Sequence, residues 1–167
     1  MNTTPSLRST IEQVTNNTTG WVGQDPQQHT VMGKGQTFVA VNDADVDSIA
    51  VYANIISQPG NVLMTVHQYD PLEKAWGPAI GSASLRLTQH DTEKWVAFKL
   101  PTVHLNKGRS YGFKLESNDS FIGVGEAAGS AKQPPFISGQ EWQFSDREQN
   151  GNAYSYFSLA FKVGMRA

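Results

Sequence analysis

The chain has 167 residues, and its 13 Lys plus Arg against 15 Asp plus Glu give a formal net charge of −2 at pH 7. A chain of this length can form one domain that buries most of its apolar surface. The near-neutral charge supplies no long-range field to gather phosphate, which argues against nucleic acid as a partner. The chain has no cysteine, which excludes disulfides, thiolate catalysis and cysteine-ligated zinc.

The start of the sequence shows no basic segment followed by an apolar run, and no window is as apolar and as long as a membrane span. We therefore expect no membrane insertion. Residues 1–30 are rich in Thr, Asn and Gln, and we expect a loosely held lead-in with room for one edge strand. Residues 31–167 are expected to form a single β-sandwich domain.

Short runs of strand-forming residues alternate with Gly, Pro, Asn and Asp along the chain, and apolar residues never repeat at helical spacing over three turns. The clear runs are 36–41, 46–57, 62–69, 82–87, 95–100, 110–117 and 156–163, and the weaker ones are 10–15, 121–124 and 141–144. This pattern predicts an all-β fold, a two-sheet antiparallel β-sandwich of roughly eight to ten strands.

Two local patterns refine this picture. The segment 58–61, Gln-Pro-Gly-Asn, predicts a tight turn that joins its flanking strands into a hairpin. In the strand that follows, Val62, Met64 and Val66 alternate with more polar residues and are expected to face the core. Run 95–100 is apolar on both faces, which predicts an interior strand. The strand aromatics expected in the core are Trp95, Phe98, Phe113 and Phe161.

Several segments follow one another in an order that resembles a known group of proteins. They are 35–40 (GQTFVA), 47–52 (DSIAVY), 64–70 (MTVHQYD), 95–98 (WVAF), 105–113 (LNKGRSYGF) and 159–163 (LAFKV). The group comprises bacterial jelly-roll modules that resemble carbohydrate-binding modules and are attached to secreted polysaccharide-processing proteins. The resemblance implies jelly-roll topology and a sugar-binding or accessory role, and it transfers no ligand residue to this chain.

The residues typical of catalysis are scattered. The four histidines show no metal-binding spacing, and the sequence has no Gly-x-Ser-x-Gly elbow. No strand carries two acids at alternate positions on an inward face, as a glycosidase site would need. The acids Glu126, Glu141, Asp146 and Glu148 fall in a late, loop-rich region typical of solvated surface. We therefore expect no enzyme and no cofactor.

The segment 42–47, Asn-Asp-Ala-Asp-Val-Asp, is rich in the oxygen ligands that calcium prefers. It lacks the Gly and Glu of an EF-hand loop, because Ser48 and Asn54 occupy those places. Two readings stay open: a structural calcium site through Asp43 or Asp45, and a solvated turn.

Aromatic side chains outside the strong strands are the candidates for a sugar platform, because a flat ring packs on the apolar side of a pyranose. Trp142 lies among hydroxyl-binding neighbours, namely Gln140, Glu141, Asp146 and Arg147. Trp76 lies in a polar hairpin loop, where the alternative is a lid over one end of the core, and Tyr154 precedes the last strand and extends the platform.

The sequence thus favours a non-catalytic module that recognises a poly- or oligosaccharide. We expect an exported bacterial protein, secreted, periplasmic or on the cell surface, in which this module is part of a larger chain. One alternative is a structural or adhesive spacer, in which the same aromatics are buried. The other is a small jelly-roll glycoside hydrolase or polysaccharide lyase, which needs a cleft with converging carboxylates or a Tyr, His and Arg set.

Overall fold

The computed structural model of the chain describes residues 7–166. In that range the first seven strands are β1 (Leu7–Gln13), β2 (Thr18–Gln24), β3 (Val31–Val39), β4 (Ala44–Gln58), β5 (Gly60–Asp70), β6 (Ala75–Leu87) and β7 (Lys94–Lys99). The other seven are β8 (His104–Leu105), β9 (Ser110–Glu116), β10 (Phe121–Ala128), β11 (Glu141–Ser145), β12 (Asn152–Tyr154), β13 (Phe157–Leu159) and β14 (Phe161–Arg166). A single 3-10 turn, Gln89–Asp91, completes the described elements.

The strands form one curled antiparallel sheet whose two halves face each other. The first layer runs β12-β11-β3-β9-β5-β6. The second layer centres on β4, which pairs with β7 on one side and with β14 and then β10 on the other, and β1 lies beyond β14. Strand β2 pairs with β10 and with the start of β3, and so joins the layers at one margin. The predicted all-β antiparallel sandwich is confirmed, with more strands than expected.

The core lies between the two layers. The first layer contributes Val62, Met64 and Val66 from β5, as alternation predicted, together with the ring of Phe113. The second layer contributes apolar residues from β4, β7 and β14, among them Ile49, Val51, Phe98, Phe161 and Val163, each at most 1% exposed. Burial of this single cluster is what holds the layers together.

Strand β7 differs from its prediction. It pairs with β4 alone among the described strands, so it is an edge strand. Val96 and Phe98 face the core, and Trp95 is half-buried on the outer face. There it stands edge-on to Tyr52 at 5.4 Å, with Lys162 Nζ 4.3 Å from its ring centroid. Placing Trp95 in the core was therefore wrong, because a sheet edge with one solvated face holds a large apolar ring equally well.

The turn at Pro59 also differs from its prediction. Strands β4 and β5 meet there, yet β4 pairs with β7, β8, β10 and β14, whereas β5 pairs with β6 and β9. The chain thus crosses from one layer to the other at Pro59, and the predicted hairpin is wrong. The predicted last strand is similarly divided at Ala160, whose N–H donates to Gly125 O (2.8 Å), so that β13 pairs with β10 and β14 with β4.

The expected lead-in contributes two strands within the described residues. Strand β1 pairs with β14 at an edge, whereas β2 lies inside the sheet between β10 and β3. Residues 1–6 lie outside the described range. Among residues 7–166, no helix has the length and apolar character needed to cross a membrane.

Candidate functional site

The outer face of the first layer carries a cluster of aromatic side chains. We call Tyr69, Trp76, Trp142 and Phe144 the outer-face cluster. Trp76 is its centre, with ring centroids 5.5 Å from Tyr69, 5.7 Å from Trp142 and 5.8 Å from Phe144, all edge-on. Trp142 and Phe144 lie parallel at 6.1 Å. Such edge-to-face and offset contacts are favourable and fix each ring against its neighbours.

Two glycines make room for this cluster. A Cβ atom at Gly112 would lie 2.5 Å and 2.6 Å from two ring carbons of Trp76, and one at Gly35 would lie 3.2 Å from the same ring. A Cβ at Gly35 would also lie 3.0 Å from the ring of Phe144. The indole of Trp76 therefore rests directly on the backbone of β3 and β9, and a side chain at Gly112 would displace it.

A cation covers part of the cluster. Lys114 Nζ lies 4.9 Å from the Trp76 ring centroid and 4.6 Å from that of Phe144, both within cation–π range. Burial lowers the pKa of Lys114, and the nearby Glu116 partly opposes this. The indole N–H groups of Trp76 and Trp142 are buried without a protein acceptor. Ring packing and the cation, rather than hydrogen bonds, therefore hold the indoles.

His67 fixes the strand pair beneath Trp76. Its Nδ1 lies 2.8 Å from Gly77 O and its Nε2 lies 2.8 Å from Thr65 Oγ1, while its ring stands edge-on to Trp76 at 5.6 Å. Because a carbonyl only accepts, Nδ1 carries the proton and the neutral ring accepts from the Thr65 hydroxyl through Nε2. Burial lowers the pKa of His67, as does the charge of Lys114.

Two open grooves border the cluster on either side of Tyr69. The hairpin groove, of about 520 Å³, lies between the β5–β6 tip and the turn before β9, and Trp76, Asp70 and Arg109 line it. The loop groove, of about 420 Å³, lies between the same tip and the segment 134–140, and Lys74 and Gln140 are among its polar groups. Tyr69, Pro71 and Ser110 line both. Burial raises the pKa of Tyr69, and so does neighbouring Asp70.

The predicted platform residues are brought together only in part. Trp76 and Trp142 are in contact, but Trp142 is 5% exposed and presents no open ring face. Tyr154 pairs with Glu141, whereas Trp142 pairs with Ala153. Because directly opposed residues share a face, Tyr154 points away from the face that carries Trp142. It packs instead against Tyr156 (5.8 Å) and Phe157 (6.2 Å).

The polar candidates around Trp142 separate likewise. Gln140 is fixed to Thr37 by its backbone N–H, which donates to Thr37 Oγ1 (2.9 Å), and it lines the loop groove. Asp146 lines another cavity, of about 310 Å³, beside Phe144 and Lys114. Arg147 is exposed. Of this set, Gln140 is therefore the one that lies beside Tyr69.

Glu141 points into the sandwich. It is 0% exposed and its Oε2 lies 3.4 Å from Lys34 Nζ, which is also 3.8 Å from Glu126 Oε2. Burial and the hydrogen bond with Glu126 raise the pKa of Glu141 to about 9. Glu141 is therefore protonated near neutral pH and stands within the protein, out of reach of a polysaccharide.

The two calcium candidates are engaged at the surface. Asp43 Oδ1 accepts from Lys107 N (2.8 Å), and Asp45 Oδ1 lies 2.8 Å from His104 Nδ1. In the part of the chain that the structure describes, no three His, Cys, Asp or Glu side chains are grouped as metal ligands. Both contacts join the start of β4 to the segment around β8, and the calcium site stays a prediction.

The facing antiparallel layers define an all-β sandwich. No protein-family model and no curated protein matches the chain. Among solved structures, it is similar to the cysteine protease and lectin-like domains of Cwp84, a surface layer associated protein of Clostridium difficile, with a TM-score of 0.52 and 7% identity. The match covers 83% of this chain and 33% of that one, so this chain spans about a third of that structure. The likeness concerns the fold.

Sequence reasoning did not place Tyr69 between two grooves or Lys114 over the rings of the outer-face cluster. Tyr69 is the last residue of run 62–69, and nothing local marks it as the wall between two grooves. The available signal was the pair of glycines, Gly35 and Gly112, because a glycine inside a strand often marks a site of close approach.

Proposed function

We propose that the chain is a non-catalytic glycan-binding module whose ligand occupies the hairpin and loop grooves beside Tyr69. The observation that carries the proposal is the position of Tyr69 as a half-buried aromatic wall shared by both grooves. Sugar sites combine such a ring with polar groups that bind hydroxyls, and here Arg109, Ser110 and Gln140 supply them. The lectin-like domain in the similar structure supports this class of ligand through the fold.

Binding without catalysis agrees with the groups that line these grooves. Asp70 is the carboxylate among the described lining residues, and its Oδ1 accepts from Leu72 N (2.9 Å) and Glu73 N (3.2 Å). Hydrolysis of a glycoside ordinarily needs two carboxylates across a cleft. The buried pair of Glu126 and Glu141 does not face either groove. We further propose that the module is exported, in line with the surface location of the protein that contains the similar domain.

The proposal is tested by screening the protein on a glycan array and titrating any hit by calorimetry with wild type and Tyr69→Ala. We expect Tyr69→Ala to weaken binding about tenfold, because one stacking face is lost. Tyr52→Ala is the matched control, since Tyr52 is also a half-buried strand tyrosine packed edge-on against a tryptophan, on the opposite layer. Wild type that binds no glycan, or equal losses in the two variants, would contradict the proposal.

A structural or adhesive spacer is the second candidate. It is favoured by the burial of Trp142 at 5% exposure, because a spacer needs its aromatics for packing alone. The same array distinguishes the two, since a spacer leaves every glycan unbound.

A further inference from the structure

A polar cluster that the proposed function does not use lies at one end of the sandwich interior. Lys34 Nζ lies 3.4 Å from Glu141 Oε2, 3.4 Å from Gln143 Oε1 and 3.8 Å from Glu126 Oε2. Lys34, Glu126 and Glu141 are 8%, 4% and 0% exposed, and Gln143 is half-buried. A primary amine, a carboxamide and two carboxyl groups are therefore held together largely out of water.

Strand pairing fixes this arrangement. Lys34 on β3 and Gln143 on β11 are direct partners across antiparallel strands, so their side chains leave the sheet on the same side with Cβ atoms about 5 Å apart. Glu141 precedes Gln143 by two residues on β11 and points the same way. The backbone of β2 closes the cluster, because a Cβ at Gly20 would lie 3.0 Å both from Glu126 Oε2 and from Lys34 Cε.

We propose that Lys34 and Gln143 condense to form an amide crosslink between β3 and β11, with Glu126 and Glu141 as the proton-transfer groups. The bond between Lys34 Nζ and Gln143 Cδ forms, and the bond between Gln143 Cδ and Nε2 breaks. Nε2 leaves as ammonia and takes a proton that came from Nζ. No electrons are gained or lost and no further reactant is needed.

Each acid has one role in this step. Glu126 accepts a proton from the Lys34 ammonium, which frees the lone pair of Nζ for attack. Glu141 passes its proton to Nε2 of the Gln143 carboxamide as that nitrogen leaves, and takes one back from Glu126, its hydrogen-bond partner. Oε1 of Glu141 is buried without a partner and two residues from that carboxamide, and burial and Glu126 raise the pKa of Glu141 to about 9, so it carries the proton at neutral pH.

The enclosure favours this reaction over competing ones. Water is largely excluded, so hydrolysis of the tetrahedral intermediate or of the product has little access. Fixed positions on paired strands replace the encounter of two free groups, which contributes several powers of ten in effective concentration. The product joins β3 to β11, the strand that carries Trp142 and Phe144, so the link would hold part of the outer-face cluster in place.

The test is the intact mass of the purified wild-type protein. We expect a mass about 17 Da below that calculated from the sequence, the mass of one ammonia. Trypsin should then fail to cleave after Lys34, and a linked pair of peptides, 9–74 with 133–147, should appear. An unchanged mass would overturn the proposal. A loss of about 18 Da, the mass of water, would overturn it in favour of an amide with a glutamate.

Variants assign the groups. In Gln143→Met the mass deficit should vanish, whereas Gln149→Met, at an exposed position close to the same strand, should keep it. Glu141→Gln preserves the shape of the side chain but cannot transfer its proton, so we expect the uncrosslinked mass. A full deficit in Gln143→Met would exclude Gln143 as the acceptor, and a full deficit in Glu141→Gln would exclude the role of Glu141.

Discussion

At the scale of single residues, the protonation state of His67 determines the hydrogen bonds next to Trp76 in the candidate site. The pKa of this half-buried histidine is lowered from its ordinary value of 6.5, mainly by burial. In the folded protein the neutral ring is thus favoured, with Nδ1 donating to Gly77 O and Nε2 accepting from Thr65. Protonation places a hydrogen on Nε2 and reverses that second hydrogen bond, directly beneath Trp76.

The sign of the pH effect follows from this shift. Between the lowered pKa of folded His67 and pH 6.5, the unfolded chain binds a proton at His67 that the folded chain does not. In this range the free energy of unfolding therefore rises with pH, and it falls on acidification. We predict that His67→Gln, which retains a donor for Gly77 O, flattens this acid loss. Urea unfolding at pH 7.5 and at pH 5 measures it.

The control for this prediction is His90→Gln. His90 is exposed on the 3-10 turn that follows β6. It should leave the difference between the two pH values as in wild type. An unchanged difference in His67→Gln would show that other groups cause the acid loss.

At the scale of elements, the connection between β4 and β5 determines how the layers are joined. Gly60, the first residue of β5, lies against the chain that leads into β10. A Cβ there would lie 2.7 Å from Asp119 Oδ1, 2.8 Å from Asp119 O and 2.9 Å from Ser120 Cβ. Asp119 also accepts from Asn61 N (2.9 Å), so the contact can relax only by moving backbone.

We therefore predict that Gly60→Ala destabilises the fold by about 1–3 kcal/mol, as overpacking of a close contact does. Chemical denaturation measures the free energy of unfolding. Pro59→Ala is the neighbouring control, because Pro59 is exposed and its loss costs less than about 1 kcal/mol through chain entropy. Equal stability of Gly60→Ala and wild type would show that the crossing tolerates a side chain.

This crossing also shows how far sequence reasoning reaches. Alternation identified the strands and the buried face of β5, because the period of two is a local property. Which strand pairs with which depends on residues that are distant in sequence. The turn signal at 58–61 is the same for a hairpin and for a crossing between layers. Strand β2 was missed because Gly20 and Gly23 interrupt its pattern, and Gly23, with φ of +113°, is required where a Cβ would lie 1.9 Å from Ser120 O.

At the scale of the whole molecule, the buried side-chain amide of Gln36 joins the first layer to β13, the strand that precedes β14. Gln36 on β3 is 0% exposed. Its Oε1 accepts from Leu159 N (2.9 Å) and from Ser158 Oγ (3.3 Å), and its Nε2 donates to Thr37 O (3.1 Å). Ser158 and Leu159 end β13, and the chain passes from β13 to β14 at Ala160. The bonds to Gln36 therefore hold the chain at the point where β13 ends.

We predict that Gln36→Leu, similar in volume, lowers the free energy of unfolding by about 1–3 kcal/mol, because Leu159 N loses its acceptor in the interior. Ser158→Ala removes a hydroxyl that is shared between Gln36 Oε1 (3.3 Å) and Leu159 O (3.0 Å), leaves the bond from Leu159 N in place, and should cost less, about 1 kcal/mol. Thermal unfolding of both variants beside wild type tests this order. The reverse order would mean that the hydroxyl, rather than the amide, secures β13.

The candidate site was less predictable than the fold. The polar neighbours of Trp142 indicated an exposed ring, but Trp142 packs against Trp76 and Phe144. Those two rings have space on the sheet at Gly35, more than a hundred residues away from Trp142. Trp76 was identified, and the groove beside it was not, because the groove needs the β5–β6 tip, the turn before β9 and the segment 134–140 together.

The pairing of β1 with β14 places the two ends of the described chain side by side, since Leu7 and Arg166 are partners. Tension applied through these ends would act first on the outermost hydrogen bonds between β1 and β14. These bonds would then break one after another along the strand pair. Such a module yields at low force at its margin, while the grooves beside Tyr69, built on β5, β6 and β9, remain away from the line of load.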